Sequence, residues 1–247
     1  MRTVIIIALL ALTGCVTTGG NTVDKSKMAE GYYDKGLAYF QQKNFELASV
    51  EFNRSIQTDS SFKQSYYSLG LICDMQGRYE DSIKYYKKAI SLDDKFSEAY
   101  NALGGVYSKQ QKWDDAIENY QKALQNKLYA TPHVPYLNMG RVYMAKKDYP
   151  KAVEAYRSAK QYANLDFIVL ELATALADEG KNEEAINEYR EGVDMAPQNP
   201  DMRYGLALVY LKDGNKKSAV QEFKKVVELA PKSDLAVKAS DYLKTLR

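Results

Sequence analysis

The sequence predicts an all-α chain, a solenoid of six helical hairpins closed by one capping helix. Three observations carry this expectation. Gly36, Gly70, Gly104 and Gly140 each follow a tyrosine by four residues: Tyr32, Tyr66, Tyr100 and Tyr136. A small residue comes twelve positions after each glycine (Ala48, Ser82, Ala116, Ala152), and an aromatic four further on (Phe52, Tyr86, Tyr120, Tyr156). Two weaker copies put Ala173 and Ala207 at the glycine position, keep Ala185 with Tyr189 and Ala219 with Phe223, and close on Pro197 and Pro231. A fixed period of this length marks a stack of like units, each burying its apolar face against the next.

Counting unit starts seven residues before each Gly or Ala places the six units at 29–62, 63–96, 97–132, 133–165, 166–199 and 200–233, within a repeat region of 27–233. Each unit reads as two antiparallel helices. Small residues let the paired helices approach, and the aromatics fill the gap to the neighbour. Gly77, Gly180 and Gly214 fall between the two helices of their units, and Pro197, Pro200 and Pro231 between units. Pro150 falls in a first turn, where its missing N–H costs little. Twelve of the 21 tyrosines occupy the repeat's aromatic positions, so they are expected in the core and not on a stacking platform for bases or sugars. The last stretch, 234–247, carries an apolar stripe of Leu235, Ala239, Tyr242 and Leu246 opposite Lys238, Asp241 and Lys244, as a solvating end cap requires.

This period with its small and aromatic alternation resembles the tetratricopeptide repeat, which implies a right-handed superhelix. In such arrays the first helix of each unit lines a concave groove. The resemblance places Tyr33, Leu37, Phe40, Tyr67, Leu71 and Met75 of the first two units there, with Leu137 and Arg141 from the fourth. These side chains either line the groove or pack against neighbouring units. The Lys and Asn set by which chaperone-tail binders clamp a terminal carboxylate is missing from the first units. An apolar groove suits an amphipathic helix or an extended apolar segment instead.

The first residues, MRTVIIIALLALTGC, hold one positive charge, an apolar run from Val4 to Leu12, and Leu-Thr-Gly-Cys. The run is far shorter than the ~20 residues of a spanning helix, which favours a signal peptide over residues 1–14. Leu12-Thr13-Gly14-Cys15 resembles the lipobox of bacterial lipoproteins, so Cys15 is the expected lipidation site. Residues 15–26 read as a lipidated tether. Val16 stands where an Asp would imply inner-membrane retention in enterobacterial lipoproteins, so the expected address is the periplasmic face of the outer membrane. Cys73 then remains as the one free thiol, in an apolar helical pattern that reads as core.

Composition argues against several functions. With 34 basic and 32 acidic residues the net charge is only +2, too little to favour nucleic acid. The single His133, between Pro132 and Pro135, offers no triad, and one His with one free Cys makes no zinc site of the usual kind. No glycine-rich phosphate loop is present. The chain is therefore expected to be no enzyme, to take no cofactor or metal beyond covalent lipid on Cys15, and to bind no small-molecule substrate.

Residues 125–140, QNKLYATPHVPYLNMG, lengthen the third unit to 36 residues. With the lipobox and six units, the Leu128, Tyr129, Pro132, Tyr136, Asn138 and Gly140 pattern resembles the PilF/PilW/Tgl family of type IV pilus lipoproteins. One departure is that Val142 and Tyr143 stand where family members often carry a Cys. The resemblance implies a pilotin, which binds the secretin subunit of the type IV pilus and promotes its outer-membrane localisation and multimer assembly. A second reading is an adaptor lipoprotein serving a periplasmic protease, peptidoglycan or envelope-assembly complex.

Overall fold

The computed structural model describes residues 20–246, with side chains from Lys25 onward. The expected signal peptide and Cys15 lie outside the described residues. Thirteen helices follow one another in that span: α1 (Gly20–Gln41), α2 (Phe45–Thr58), α3 (Lys63–Met75), α4 (Tyr79–Leu92), α5 (Ser97–Lys109), α6 (Trp113–Ala123), α7 (His133–Ala145), α8 (Tyr149–Tyr162), α9 (Asp166–Glu179), α10 (Asn182–Met195), α11 (Pro200–Lys212), α12 (Lys216–Leu229) and α13 (Asp234–Thr245). No strand occurs among the described residues. Odd-numbered helices are the first of each pair and even-numbered ones the second, and the pairs stack as an all-α superhelix.

One expectation is corrected at the start. Helix α1 begins at Gly20, so the stretch read as a tether, 15–26, is helical over its second part. Once the packed part of α1 is nucleated, each further residue adds a hydrogen bond at little cost, and the helix propagates backward through a sequence of weak helix formers.

The pairing rests on glycines that meet rings. A Cβ at Gly70 would lie 2.5 Å from the Tyr86 ring, and one at Gly104 would lie 2.7 Å from Tyr120 and 3.0 Å from the Ala116 carbonyl. Tyr86, Tyr120 and Tyr156 are consequently buried against the first helix of their own unit. In the fifth unit Ala173 fills that space, and the Tyr189 ring sits against Gly205 of the next unit instead. The expectation of twelve core tyrosines is corrected accordingly. Tyr86, Tyr120, Tyr156, Tyr189 and Tyr210 are buried, whereas Tyr32, Tyr39, Tyr66, Tyr100, Tyr107, Tyr136 and Tyr143 are half-buried. Rings on the second helix face the glycine gap, while those on the first helix stand at its rim, with the exception of Tyr210 on α11, which is buried.

Short turns join the two helices of each pair. They use a left-handed residue, supplied by Gly77, Gly180 and Gly214 in three units and by Lys43, Gln111 and Lys147 in the others. Asn44, Asp148 and Asn215 cap the helix that follows, each accepting a backbone N–H three residues on.

Both ends are closed. Gly31, Lys35 and Ala38 are exposed on α1 at the positions where α3 buries Ser65, Leu69 and Ile72, so nothing need pack before the first unit. At the other end Ala236 and Ala239 of α13 are buried, and Tyr242 stacks on Phe223 at 4.8 Å. Tyr242 is itself 37% exposed, so it covers the last core ring from outside instead of belonging to the core. One continuous core runs from Leu137 through the last three units to Ala239. The first three units hold smaller, separate clusters around Phe52, Tyr86 and Tyr120.

The buried phenols make the array sensitive to alkali. Burial pushes Tyr120 up to about 12 and raises Tyr86 and Tyr156 further, the latter also through the Glu171 carboxylate. A phenol that ionises later in the folded chain than at its ordinary value of 10 stabilises the fold below pH 10. That contribution is lost as pH climbs from 10 toward the folded value, and for Tyr120 it is on the order of 3 kcal/mol. Helicity followed by circular dichroism is expected to collapse between pH 10 and 12. A flat signal to pH 12 would contradict the packing of these rings.

Candidate functional site

The first helices of units one and two bring the expected groove residues together in two similar layers. In the first layer, the Tyr33 ring lies 5.6 Å from Phe52 and 5.3 Å from Phe62, and Leu37 and Phe40 rest on the cluster of Ala48, Phe52, Leu69 and Ile72. In the second, Tyr67 lies 5.7 Å from Tyr86 and 5.3 Å from Phe96, and Leu71 rests on the cluster of Tyr86, Leu103 and Val106. These side chains are half-buried. One flank packs on the neighbouring unit and the other faces out, so the two alternatives left open by the sequence each hold for part of the surface. Met75 is 59% exposed and is the most open of the set.

The two residues from the fourth unit behave differently. Leu137 is only 6% exposed and belongs to the core, which corrects its placement in the groove. Its shorter side chain drops into the helix interface, and the outer position at that level is taken by Tyr136, stacked on Tyr162 at 5.7 Å. Arg141 is exposed but engaged, with Nη2 2.9 Å from the Glu171 carboxylate. It is a bond between units as much as a ligand contact.

Arg141 is one rung of a polar ladder that sequence reasoning missed. Lys109 Nζ lies 2.7 Å from both oxygens of Asp74, joining α5 to α3. Asn138 donates to Asn101 at 3.2 Å, joining α7 to α5. Arg141 joins α7 to α9, and Lys212 donates to the Ala177 carbonyl at 2.7 Å, joining α11 to α9. Partner spacings of 30 to 37 residues, close to the repeat period, are the sequence signal that could have found it. From the second unit on, neighbouring first helices are thus cross-linked by polar groups. Among the described residues no ion pair or amide bond of this kind joins α1 to α3, and beyond the Asp74 rung to α5 and the Tyr33 hydroxyl beside Ser68 these two helices offer aromatic and aliphatic surface.

The 36-residue third unit ends in a built turn. Asn126 donates to the Lys95 carbonyl at 3.1 Å and accepts from the Leu128 N–H at 3.0 Å, which pins the turn onto the α4–α5 connection. Leu128 points outward, 91% exposed, while Tyr129 is half-buried. The Tyr67 hydroxyl is pushed up to about 12, first by burial and then by the neighbouring Tyr129 and Glu98 charges. Tyr129 is raised by its own burial and by Glu98.

Chemical machinery is sparse. No group of three or more His, Cys, Asp or Glu side chains that could hold a metal occurs among the described residues. Cys73 is 3% exposed and its thiol is raised by burial, as suits a packing residue. No described helix is long and apolar enough to cross a membrane.

Comparison with known proteins agrees with this architecture. Tetratricopeptide-repeat models match residues 29–62, 64–96, 96–159 and 170–234. No curated protein matches the chain. Among solved structures, PilF of Pseudomonas aeruginosa is similar with a TM-score of 0.75 at 20% identity, over 88% of this chain and 99% of that one. PilW, described as a widely conserved type IV pilus biogenesis factor, is similar with a TM-score of 0.74 at 14% identity, over 87% and 99%. YrrB, described as a tetratricopeptide protein with an unusual peptide-binding site, has a TM-score of 0.65 at 21% identity, over 77% and 97%. At these identities the likeness is one of fold. The chain belongs to the tetratricopeptide-repeat family, and its superhelix has the arrangement seen in PilF and PilW.

Proposed function

We propose that the chain is an outer-membrane pilotin: a lipoprotein, held at the periplasmic face by lipid on Cys15, that binds the type IV pilus secretin in its concave groove and promotes secretin localisation and multimer assembly. The observation that carries this reading is the half-buried aromatic and aliphatic surface of the first two units, on an array similar over nearly its whole length to two type IV pilus factors. It works as an adaptor, with binding in place of catalysis.

The mechanism follows from burial. An apolar secretin segment laid on Tyr33, Leu37, Tyr67, Leu71 and Met75 removes surface from water on both partners, at about 25 cal/mol per Å². The layers beneath are already packed, so little ordering cost falls on the groove itself. Shielding ends when subunits pair and the segment finds its place in the multimer. Lipid on Cys15 restricts this exchange to the membrane where the multimer forms.

A photo-crosslinking side chain at Met75 is expected to capture the secretin subunit in cells. The same group at Lys84, whose side chain is 78% exposed on the second helix α4, is expected to capture none. Equal capture from both positions, or none from Met75, would contradict the groove assignment.

A further inference from the structure

We propose that the far end of the array holds a second docking site, a cleft between α11 and α13 that takes an aromatic side chain from a protein partner. It lies apart from the groove of the first two units and does not depend on the secretin reading. Tyr204 is the fifth residue of the sixth unit, the place held by Tyr33 and Tyr67 in the first two and by Asn101, Leu137 and Leu170 in those between. Each of the three tyrosines lies against the aromatic of its own second helix: Tyr33 on Phe52 at 5.6 Å, Tyr67 on Tyr86 at 5.7 Å and Tyr204 on Phe223 at 5.7 Å. Their second partners differ. Tyr33 and Tyr67 each have another ring at 5.3 Å, from Phe62 and Phe96, the residues that open α3 and α5. The residue that opens α13 is Ser233, whose hydroxyl accepts from the Ala236 N–H and donates to the Ala230 carbonyl. The second ring near Tyr204 is Tyr242, 6.5 Å away and inclined at 64°, because Tyr242 is stacked flat on Phe223. A cleft of about 500 Å³ opens there, lined by Tyr204, Lys238, Asp241, Tyr242 and Thr245.

The walls name the occupant. Aromatic rings attract one another stacked or edge to face, at centroid separations of about 4.5–7 Å. Two ring walls inclined at 64° offer both contacts at once, since a ring laid on one meets the other edge-on. It would give Tyr204 the second close ring that Tyr33 and Tyr67 already have. Lys238 adds a third contact, because an ammonium over a ring face is attracted to it. The chain itself shows that arrangement, with Lys63 Nζ over the Phe96 ring at 5.1 Å. Of the two charged side chains in the lining, Asp241 is bonded to Lys244 at 2.8 Å, and Lys238 has no ion-pair partner among the described residues. A basic ligand side chain is therefore disfavoured, and an aliphatic one gains burial without the ring contacts.

Amide NMR of the full chain, titrated with the peptide acetyl-Gly-Gly-Phe-Gly-Gly-amide and with its Leu counterpart, tests the cleft. The Phe peptide is expected to shift the Lys238, Asp241 and Thr245 amides, at concentrations about tenfold below those the Leu peptide needs. Lys238→Ala is expected to weaken the Phe peptide about threefold. Thr245→Trp, which fills the cleft from its exposed rim, is expected to abolish these shifts with the melting temperature unchanged or raised. The Leu37→Asp and Leu71→Asp double variant is expected to leave them as in wild type, which separates this site from the groove. Equal shifts from the Phe and Leu peptides would overturn the selection for a ring. Shifts absent from α13, retained by Thr245→Trp or lost in the double variant would overturn the cleft as a separate site.

Discussion

Gly104→Ala is expected to destabilise the array by about 2–3 kcal/mol, while Gly105→Ala, one residue on, leaves it unchanged or stabilises it by up to about 1 kcal/mol. The two glycines share a helix and a chemistry and differ only in what a methyl group would meet. At 104 it meets the Tyr120 ring at 2.7 Å and the Ala116 carbonyl at 3.0 Å; at 105 it meets nothing within 4 Å. Tyr120 cannot retreat, because its own helix is held by Ala116 and Ala123, both fully buried. Replacing Gly105 removes backbone freedom from the unfolded chain and raises helix propensity at no steric cost. Thermal melts of the two variants read the signs directly. A Gly104→Ala variant as stable as wild type would mean that the helix pairs are not held apart at ring-contact distance.

Leu37→Asp with Leu71→Asp is expected to abolish partner binding while the array stays helical. Both positions sit on the apolar strip, one in each layer, and each loses a buried contact worth about 2 kcal/mol while gaining a charge to desolvate. Together that is enough to turn a micromolar complex into one too weak to isolate. Because both side chains also rest on the clusters beneath them, helicity and melting temperature must be recorded for the variant. Met75→Glu, at a position 59% exposed, gives a second variant that leaves those clusters alone and is expected to weaken binding to a lesser degree. A folded double variant that bound normally would sink the groove assignment.

The fold class was legible because the repeated small and aromatic residues are themselves the packing rule. Gly70 exists where Tyr86 needs room, and the same need recurs at Gly36, Gly104 and Gly140. Period counting was weaker at assigning sides. It gave the leading tyrosines Tyr32, Tyr66, Tyr100 and Tyr136 the same standing as Tyr86 and Tyr156, although the former are only half-covered. Placing Leu137 in the groove by offset failed because side-chain length decides whether a rim position points out or in, and Leu137 turned inward beneath the stacked Tyr136 and Tyr162. Tyr129 could not be placed at all by counting. It lies in the residues that break the period, in a turn that Asn126 pins to the Lys95 carbonyl and that closes through the Leu128 and Tyr129 N–H groups on Asn126. The polar ladder was equally invisible to a search for catalytic motifs, since its members read as ordinary surface charge until the superhelix brings each next to a residue about one repeat away.

The central claim is that lipid at Cys15 and the apolar strip of the first two units act together on the type IV pilus secretin. It is tested most directly by the amount of heat-resistant secretin multimer in outer-membrane fractions of a strain lacking the chain, complemented by wild type, by Cys15→Ala or by the Leu37→Asp and Leu71→Asp double variant. The account predicts multimer restored by wild type and by neither variant. Multimer unchanged by loss of the chain, or fully restored by the double variant, would contradict it.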